Sequence, residues 1–219
     1  MSEGTKNHIF GREEVEKYER KRYKGLDQKI VNWREKSIVQ KILKNISEEN
    51  FSILDIPCGY GRFINILENN GNKIFASDLS FSMVEKAREK NYKNFYFVSN
   101  LKLGIPIKSN TIDCVFCFRF FHHLHYREER VKVLKELERI SKKWIIISCY
   151  IENKIHSIQR KIRKKLMKKK TKIKIISLED LESEVNYAKL KIIKIFPVLK
   201  GIHSQHIILL KKATNGSSM

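Results

Sequence analysis

Apolar positions change their period part-way along this chain. Through residues 1–50 they fall at helical intervals among many charges, and Trp33, Ile38, Ile42 and Leu43 mark an apolar stripe near the end of that stretch. From Phe51 onward, short apolar runs alternate with helical periods. Phe51–Ile56, Lys73–Ser77, Asn94–Val98, Thr111–Phe118 and Trp144–Ser148 read as five strands. Between them, helices are predicted to open over Arg62–Glu68, to run from Ser80 to Lys90, and to cover Arg127–Ile140, where Val131, Leu134 and Leu137 share one face. Strands alternating with helices predict a parallel sheet covered on both sides. Ser177, three residues before Asp180, is placed to cap a helix carrying Leu181 and Val185. Lys191–Phe196 and Gln205–Leu210 follow as two closing strands joined through Pro197 and Gly201. That short connection predicts an antiparallel hairpin.

The expected architecture is a Rossmann-like α/β fold: a mostly parallel seven-stranded sheet with an antiparallel edge hairpin. One domain is expected over residues 1–212. Within it, residues 1–50 form a helical lid, 51–150 a ligand-binding core, and 151–212 a basic helix plus the closing strands. The polar tail, 213–219, is expected to be disordered.

Composition narrows the class. The 219 residues carry a net charge of +21, and 42% of them are hydrophobic, enough for an ordinary globular core. Cys58, Cys114, Cys117 and Cys149 lie inside apolar runs rather than at the loop spacings of a secreted disulfide framework. Residues 1–6 have no apolar core of a signal peptide, and no apolar run is long enough to span a bilayer. A soluble, cytoplasmic protein is expected.

The charge is concentrated. Lys154–Lys174 holds eleven basic residues and no acidic one. Ile151, Ile155, Ile158, Ile162 and Leu166 recur there at intervals of four, three, four and four, which places one apolar stripe on a basic helix. A solvated helix packed on the sheet is one reading. A helix lying on an anionic membrane, over Ile151 to Lys174, uses both the stripe and the lysines. RNA would use the charge alone.

The chemistry centres on Ile53-Leu54-Asp55-Ile56-Pro57-Cys58-Gly59-Tyr60-Gly61-Arg62, a glycine turn between a buried strand and a helix. Gly59 and Gly61 permit backbone conformations closed to other residues and close approach of a ligand. The next strand ends at Ser77-Asp78, where a carboxylate can accept both hydroxyl hydrogens of a ribose. A dehydrogenase reading of the same turn needs a third small residue where Ile64 stands, and amide donors that Pro57 lacks.

These residues resemble the class I S-adenosylmethionine-dependent methyltransferases over about Phe51–Ser148. Gly104-Ile105-Pro106-Ile107 with Asn110-Thr111-Ile112-Asp113, and Phe118–Leu124, are similar to later family segments. The first motif is similar to a bacterial subgroup reading Leu-Asp-x-Pro-Cys-Gly-x-Gly-Arg. The resemblance implies that S-adenosylmethionine is the cofactor, with Asp55 near its amino group, Gly59 and Gly61 under its path, and Asp78 with Leu79 at the ribose. Asn100 is then the adenine candidate.

In-line methyl transfer needs alignment above all. A base is required only when the acceptor arrives protonated, and His122 and His123 are the candidates, with His123 preferred. Arg119, among Phe116, Phe118, Phe120 and Phe121, is a candidate for acceptor binding, or else for an ion pair with an acid such as Asp113. His203 is the second acceptor-side candidate. No metal is expected, since His122, His123 and His125 lack ligand spacing and Cys114 and Cys117 belong to a buried strand. The expected activity is methyl transfer to a small-molecule or lipid acceptor. Two alternatives stand beside it: an RNA-modifying methyltransferase, and a protein that binds the cofactor without catalysis.

Overall fold

Ile53 and Leu54 are chain neighbours that bury their side chains in opposite apolar layers. The same alternation runs through Ile145, Ile146 and Ile147, and through Ile207 to Leu210, as the two-residue period of a strand requires. The computed structural model describes residues 11–22, 24–91, 93–152, 173–200 and 204–213.

Seven strands form one sheet: β1 (Ser52–Asp55), β2 (Lys73–Asp78), β3 (Phe95–Val98), β4 (Ile112–Cys117), β5 (Ser141–Tyr150), β6 (Leu190–Pro197) and β7 (Gln205–Lys212). Their spatial order is β3-β2-β1-β4-β5-β7-β6. The first five are parallel, and β7 lies between β5 and β6, antiparallel to both. The closing hairpin is therefore present, with its inner strand coming last in the chain.

Among the described residues, six helices accompany the sheet: α1 (Arg12–Arg22), α2 (Leu26–Ile46), α3 (Ile64–Leu67), α4 (Phe81–Lys90), α5 (Arg127–Ile140) and α6 (Leu178–Tyr187). Ile38, Ile42 and Leu43 of α2 and Leu67 of α3 pack with Ile53, Phe116 and Ile146 in one layer. Leu134 and Leu137 of α5 and Leu181 and Val185 of α6 pack with Leu54, Ile145 and Ile147 in the other. The predicted cap of α6 forms, the Asp180 N–H donating to the Ser177 hydroxyl at 2.9 Å. Ser80 caps α4 by accepting from the Met83 N–H.

Two readings need correction. Trp33 is 63% exposed and lies off the α2 stripe; five residues from Ile38 is well over a quarter-turn out of phase at 100° per residue. The helix expected from Arg62 begins only at Ile64, because Arg62 and Phe63 complete the glycine turn.

The parallel strands end at a common edge, which carries Asp55, Asp78 and Tyr150. Gln205, opposite Tyr150, starts the antiparallel β7 at the same edge. In an open α/β sheet this carboxyl edge is where ligands sit.

Candidate functional site

The glycine turn is held from below by β2. The Cys58 N–H donates to the Ser77 carbonyl at 2.8 Å, and the Gly59 N–H donates to Asp78 Oδ2 at 2.9 Å. The other Asp78 oxygen accepts from the Ser80 N–H at 3.0 Å. Burial pushes the Asp78 carboxyl up from its usual value, while these backbone donors pull it down. Asp78 thus fixes the turn, a role that its place at a strand end does not reveal in sequence. Leu79, directly after it, is partly exposed at the same edge.

The two glycines differ. Gly59 has φ of +53° and open space where a Cβ would stand. Gly61 has φ of +76°, but a Cβ there would lie 2.8 Å from Ile64 Cδ1 and 3.0 Å from Ala87 of α4. Gly59 leaves room above the turn, whereas Gly61 lets the turn pack on the helix behind it.

Asp55, at the end of β1, is 2% exposed, and its Oδ2 has no hydrogen-bond partner among the described residues. Burial, then the neighbouring Asp78, raises its pKa well above the ordinary carboxylate value, with Arg62 opposing. A buried carboxylate oxygen without a donor is costly unless a ligand supplies one.

Asn100 follows β3 and is partly buried; its side-chain oxygen accepts from the Lys102 N–H at 3.0 Å. That oxygen closes the local turn. Beside it the Ser99 and Ser77 hydroxyls meet at 2.6 Å.

Over the glycine turn lies α1. Val15 and Tyr18 pack with Tyr60 and Met83, and the Tyr18 and Tyr60 rings meet edge-on at 6.1 Å. Ion pairs from Arg12 to Glu89 and from Glu19 to Lys90 fasten α1 to α4.

Arg119 pairs with Glu35 rather than with Asp113. It stands at φ +54°, and its Nε and Nη2 donate to Glu35 Oε1 at 3.0 and 2.6 Å. Asp113 lies near the other end of β4, accepting from the Ser52 hydroxyl and Lys142. Glu35 is fully buried, and it also accepts from Arg62 at 2.6 Å and from the Gln205 amide at 2.6 Å. One carboxylate thereby joins α2, the glycine turn, the end of β4 and the start of β7. The sequence reading missed it, although Glu35 falls three, four and seven residues before the buried Ile38, Val39 and Ile42. A carboxylate on the apolar face of a helix was the available signal.

Beside this network opens a cleft of about 1000 Å³, walled by α1 and α2 and reaching Arg119, Tyr150, Leu199 and Gln205. His122 and His123 sit on a short 3-10 turn just beyond Arg119. The His122 ring is buried, packs edge-on to Tyr150 at 5.4 Å, and has no partner for Nδ1 among the described residues. Burial, with His123 and Arg119 adding to it, pushes His122 down to about 3. His123 is the more exposed ring, also shifted down by desolvation and by Arg22. In both, burial favours the neutral imidazole.

Among the described residues no three His, Cys, Asp or Glu side chains gather as a metal would require. All four cysteines are buried and free, and burial pushes the Cys149 thiol up to about 12. His203 and nearly all of the basic Ile151–Lys174 segment lie outside the described residues, as does the expected tail beyond Ala213.

Residues 54–146, from β1 into β5, match the methyltransferase domain family. The fold is that of the class I S-adenosylmethionine-dependent methyltransferases. Magnesium protoporphyrin IX methyltransferase from Synechocystis PCC 6803, with bound S-adenosylhomocysteine, superposes with a TM-score of 0.71 at 18% identity, over 86% of this chain and 88% of that one. An uncharacterized protein of Methanocaldococcus jannaschii is 30% identical over 137 residues, 61% of this chain and 56% of its own. A tRNA (carboxymethyluridine(34)-5-O)-methyltransferase of Saccharomyces cerevisiae is 31% identical over 100 residues, 46% of this chain and 34% of its own. The chain spans about half the length of the first relative and a third of the second.

Proposed function

We propose that the protein is an S-adenosylmethionine-dependent methyltransferase acting on a small-molecule acceptor. The observation that carries the reading is Asp55, a buried carboxylate with an oxygen awaiting a donor, set beside a glycine turn of methyltransferase type. An ammonium group is the partner such an oxygen lacks, and the cofactor's methionine portion carries one. Gly59 leaves the space above the turn that the cofactor would cross, and Asp78 with Leu79 stands where its ribose would lie. Asn100 supports the far end of that path.

When bound, the cofactor supplies an electrophilic methyl group. The chain's own residues would then orient and enclose: α1 covers the glycine turn, and Glu35 ties that turn to Arg119 at the cleft wall. His123, or His122 beside it, would take a proton if the acceptor brought one.

Calorimetry with S-adenosylhomocysteine tests the reading. Wild-type protein should bind, and Asp78→Ala should weaken binding by about 1.5–3 kcal/mol through lost charge-assisted hydrogen bonds. Absence of binding by the folded wild type would remove both the methyltransferase and the non-catalytic binding readings. An RNA acceptor is the second reading, favoured by the yeast tRNA-modifying relative and by the basic segment. Transfer of label from the cofactor to RNA, and not to small molecules, would establish it.

A further inference from the structure

The cleft walled by α1 and α2 has a charge and a lining that favour one class of ligand. Lys17, Lys21, Arg22 and Arg119 line it, against Glu14 and Asp27. Ile30, Val31 and Leu199 supply apolar wall between them. A cleft of this size, apolar with a few converging charges, is typical of small-molecule sites. Glu14, Lys17, Lys21 and Asp27 are exposed there, and Arg119 shares the Glu35 carboxylate with Arg62, so the lining keeps a modest positive excess that favours an anionic ligand.

We propose that the cleft takes a small carboxylic acid with an apolar body and that the carboxylate is the group methylated. This inference rests on the methyltransferase reading above. A carboxylate oxygen would attack the sulfonium methyl carbon; the carbon–oxygen bond forms as the carbon–sulfur bond breaks. The bonding pair goes to sulfur, leaving the neutral thioether S-adenosylhomocysteine and a methyl ester. No proton moves in this step.

The neighbouring groups agree with that balance. A carboxylic acid, with a pKa of roughly 4, is already ionised near neutrality. An amine, at roughly 10, would arrive as a cation and be repelled by the cleft. An alcohol would need a strong base, yet His122 is depressed to about 3 and His123 is depressed as well. Imidazoles whose basicity burial lowers suit an acceptor that needs no deprotonation. Arg119 is aimed by its two bonds to Glu35, so the guanidinium stands fixed at the wall rather than searching for it.

The experiment uses the full chain in two steps. Calorimetry first measures S-adenosylhomocysteine binding, which stands or falls independently of the acceptor. The saturated protein is then titrated with octanoate, phenylacetate and indole-3-acetate, each against its matching alcohol and amine. The expected result is at least tenfold tighter binding of the carboxylates. A Lys21→Glu, Arg22→Glu double variant should bind S-adenosylhomocysteine nearly as the wild type does and lose that preference. With methyl-labelled cofactor the product should release its label as methanol in mild alkali. Equal or tighter binding of the alcohols or amines, or an alkali-stable product, would overturn the carboxylate assignment while leaving the cofactor reading intact. No S-adenosylhomocysteine binding would overturn both.

Discussion

Glu35 and Arg119, 84 residues apart in the chain, meet through two hydrogen bonds to one carboxylate oxygen, the shorter 2.6 Å. The carboxylate is fully buried and also holds Arg62 at 2.6 Å. Removing the shared acid would leave both guanidiniums without their common anion. Glu35→Ala should therefore cost on the order of 3–5 kcal/mol of stability, the usual penalty for breaking a buried ion pair from one side. Urea unfolding measures it. A loss under about 1 kcal/mol would mean that the network carries little of the fold.

The glycines should separate in mutagenesis. Gly59→Ala meets no neighbouring atom and pays only for its positive φ, about 1–2 kcal/mol. Gly61→Ala adds contacts of 2.8 and 3.0 Å to the same backbone cost. Thermal denaturation should show the second variant clearly less stable than the first. Binding of S-adenosylhomocysteine should be weakened in folded Gly59→Ala, because the added methyl occupies the space above the turn. Equal stability of the two variants would contradict the packing role of Gly61.

Asp55 should trade stability for binding. Its folded pKa is raised, so the native state favours the protonated form, and the penalty for folding with an ionised Asp55 grows as pH rises above the usual carboxylate value. Asp55→Asn removes that penalty. The ligand-free variant should melt higher at pH 7, by roughly 2–4 °C for each kcal/mol recovered, and should bind S-adenosylhomocysteine more weakly. A variant that melts lower and binds normally would exclude this role.

His122 gives the opposite pH signature. Its folded pKa is lowered to about 3 from 6.5, so the unfolded chain takes up the proton first as pH falls. The stability held by neutral His122 is complete above pH 6.5 and is lost progressively between 6.5 and about 3. The slope for one such group is at most about 1.4 kcal/mol per pH unit. His123 and His206 are shifted in the same direction. A His122→Leu variant should lose less stability than the wild type between pH 7 and pH 5 in urea titrations. Identical losses would show that the ring is not buried neutral.

The basic segment yields a prediction from sequence alone. Wild-type protein is expected to bind anionic liposomes through this segment, and charge reversal of Lys164, Lys165, Lys168 and Lys169 to Glu is expected to abolish that binding without unfolding the domain. Cosedimentation decides it. Binding of RNA but not liposomes by the wild type would favour the RNA acceptor instead.

What the sequence revealed follows from how local each signal is. The strands, the cap at Ser177 and the span of α5 rest on periods and spacings within ten or fifteen residues, and the structure has them where those periods fall. The glycine turn was legible because glycine in that setting carries meaning by itself. The partner of Arg119 was not, because Glu35 reaches it only after α2 folds across the end of β4. Asp113 was the nearest acid in the chain, but its position near the start of β4 sends it to Ser52 and Lys142. The division of labour between Gly59 and Gly61 was equally hidden, since Ala87 stands 26 residues further along the chain than Gly61.

The insertion of β7 between β5 and β6 also sets an order of events on the ribosome. Strands β1 to β5 can pair as they emerge, but the flank of β5 stays open until residues 205–212 have been synthesised. Ile145 to Cys149 therefore spend the interval as an apolar strand with unmatched backbone groups, the kind of edge that recruits other chains. Gln205 arrives in the same late strand and brings Glu35 its amide partner. A nascent chain stalled before that strand would hold the glycine turn complete while the sheet beside it was still sticky, so that interval is the one in which a chaperone would matter most.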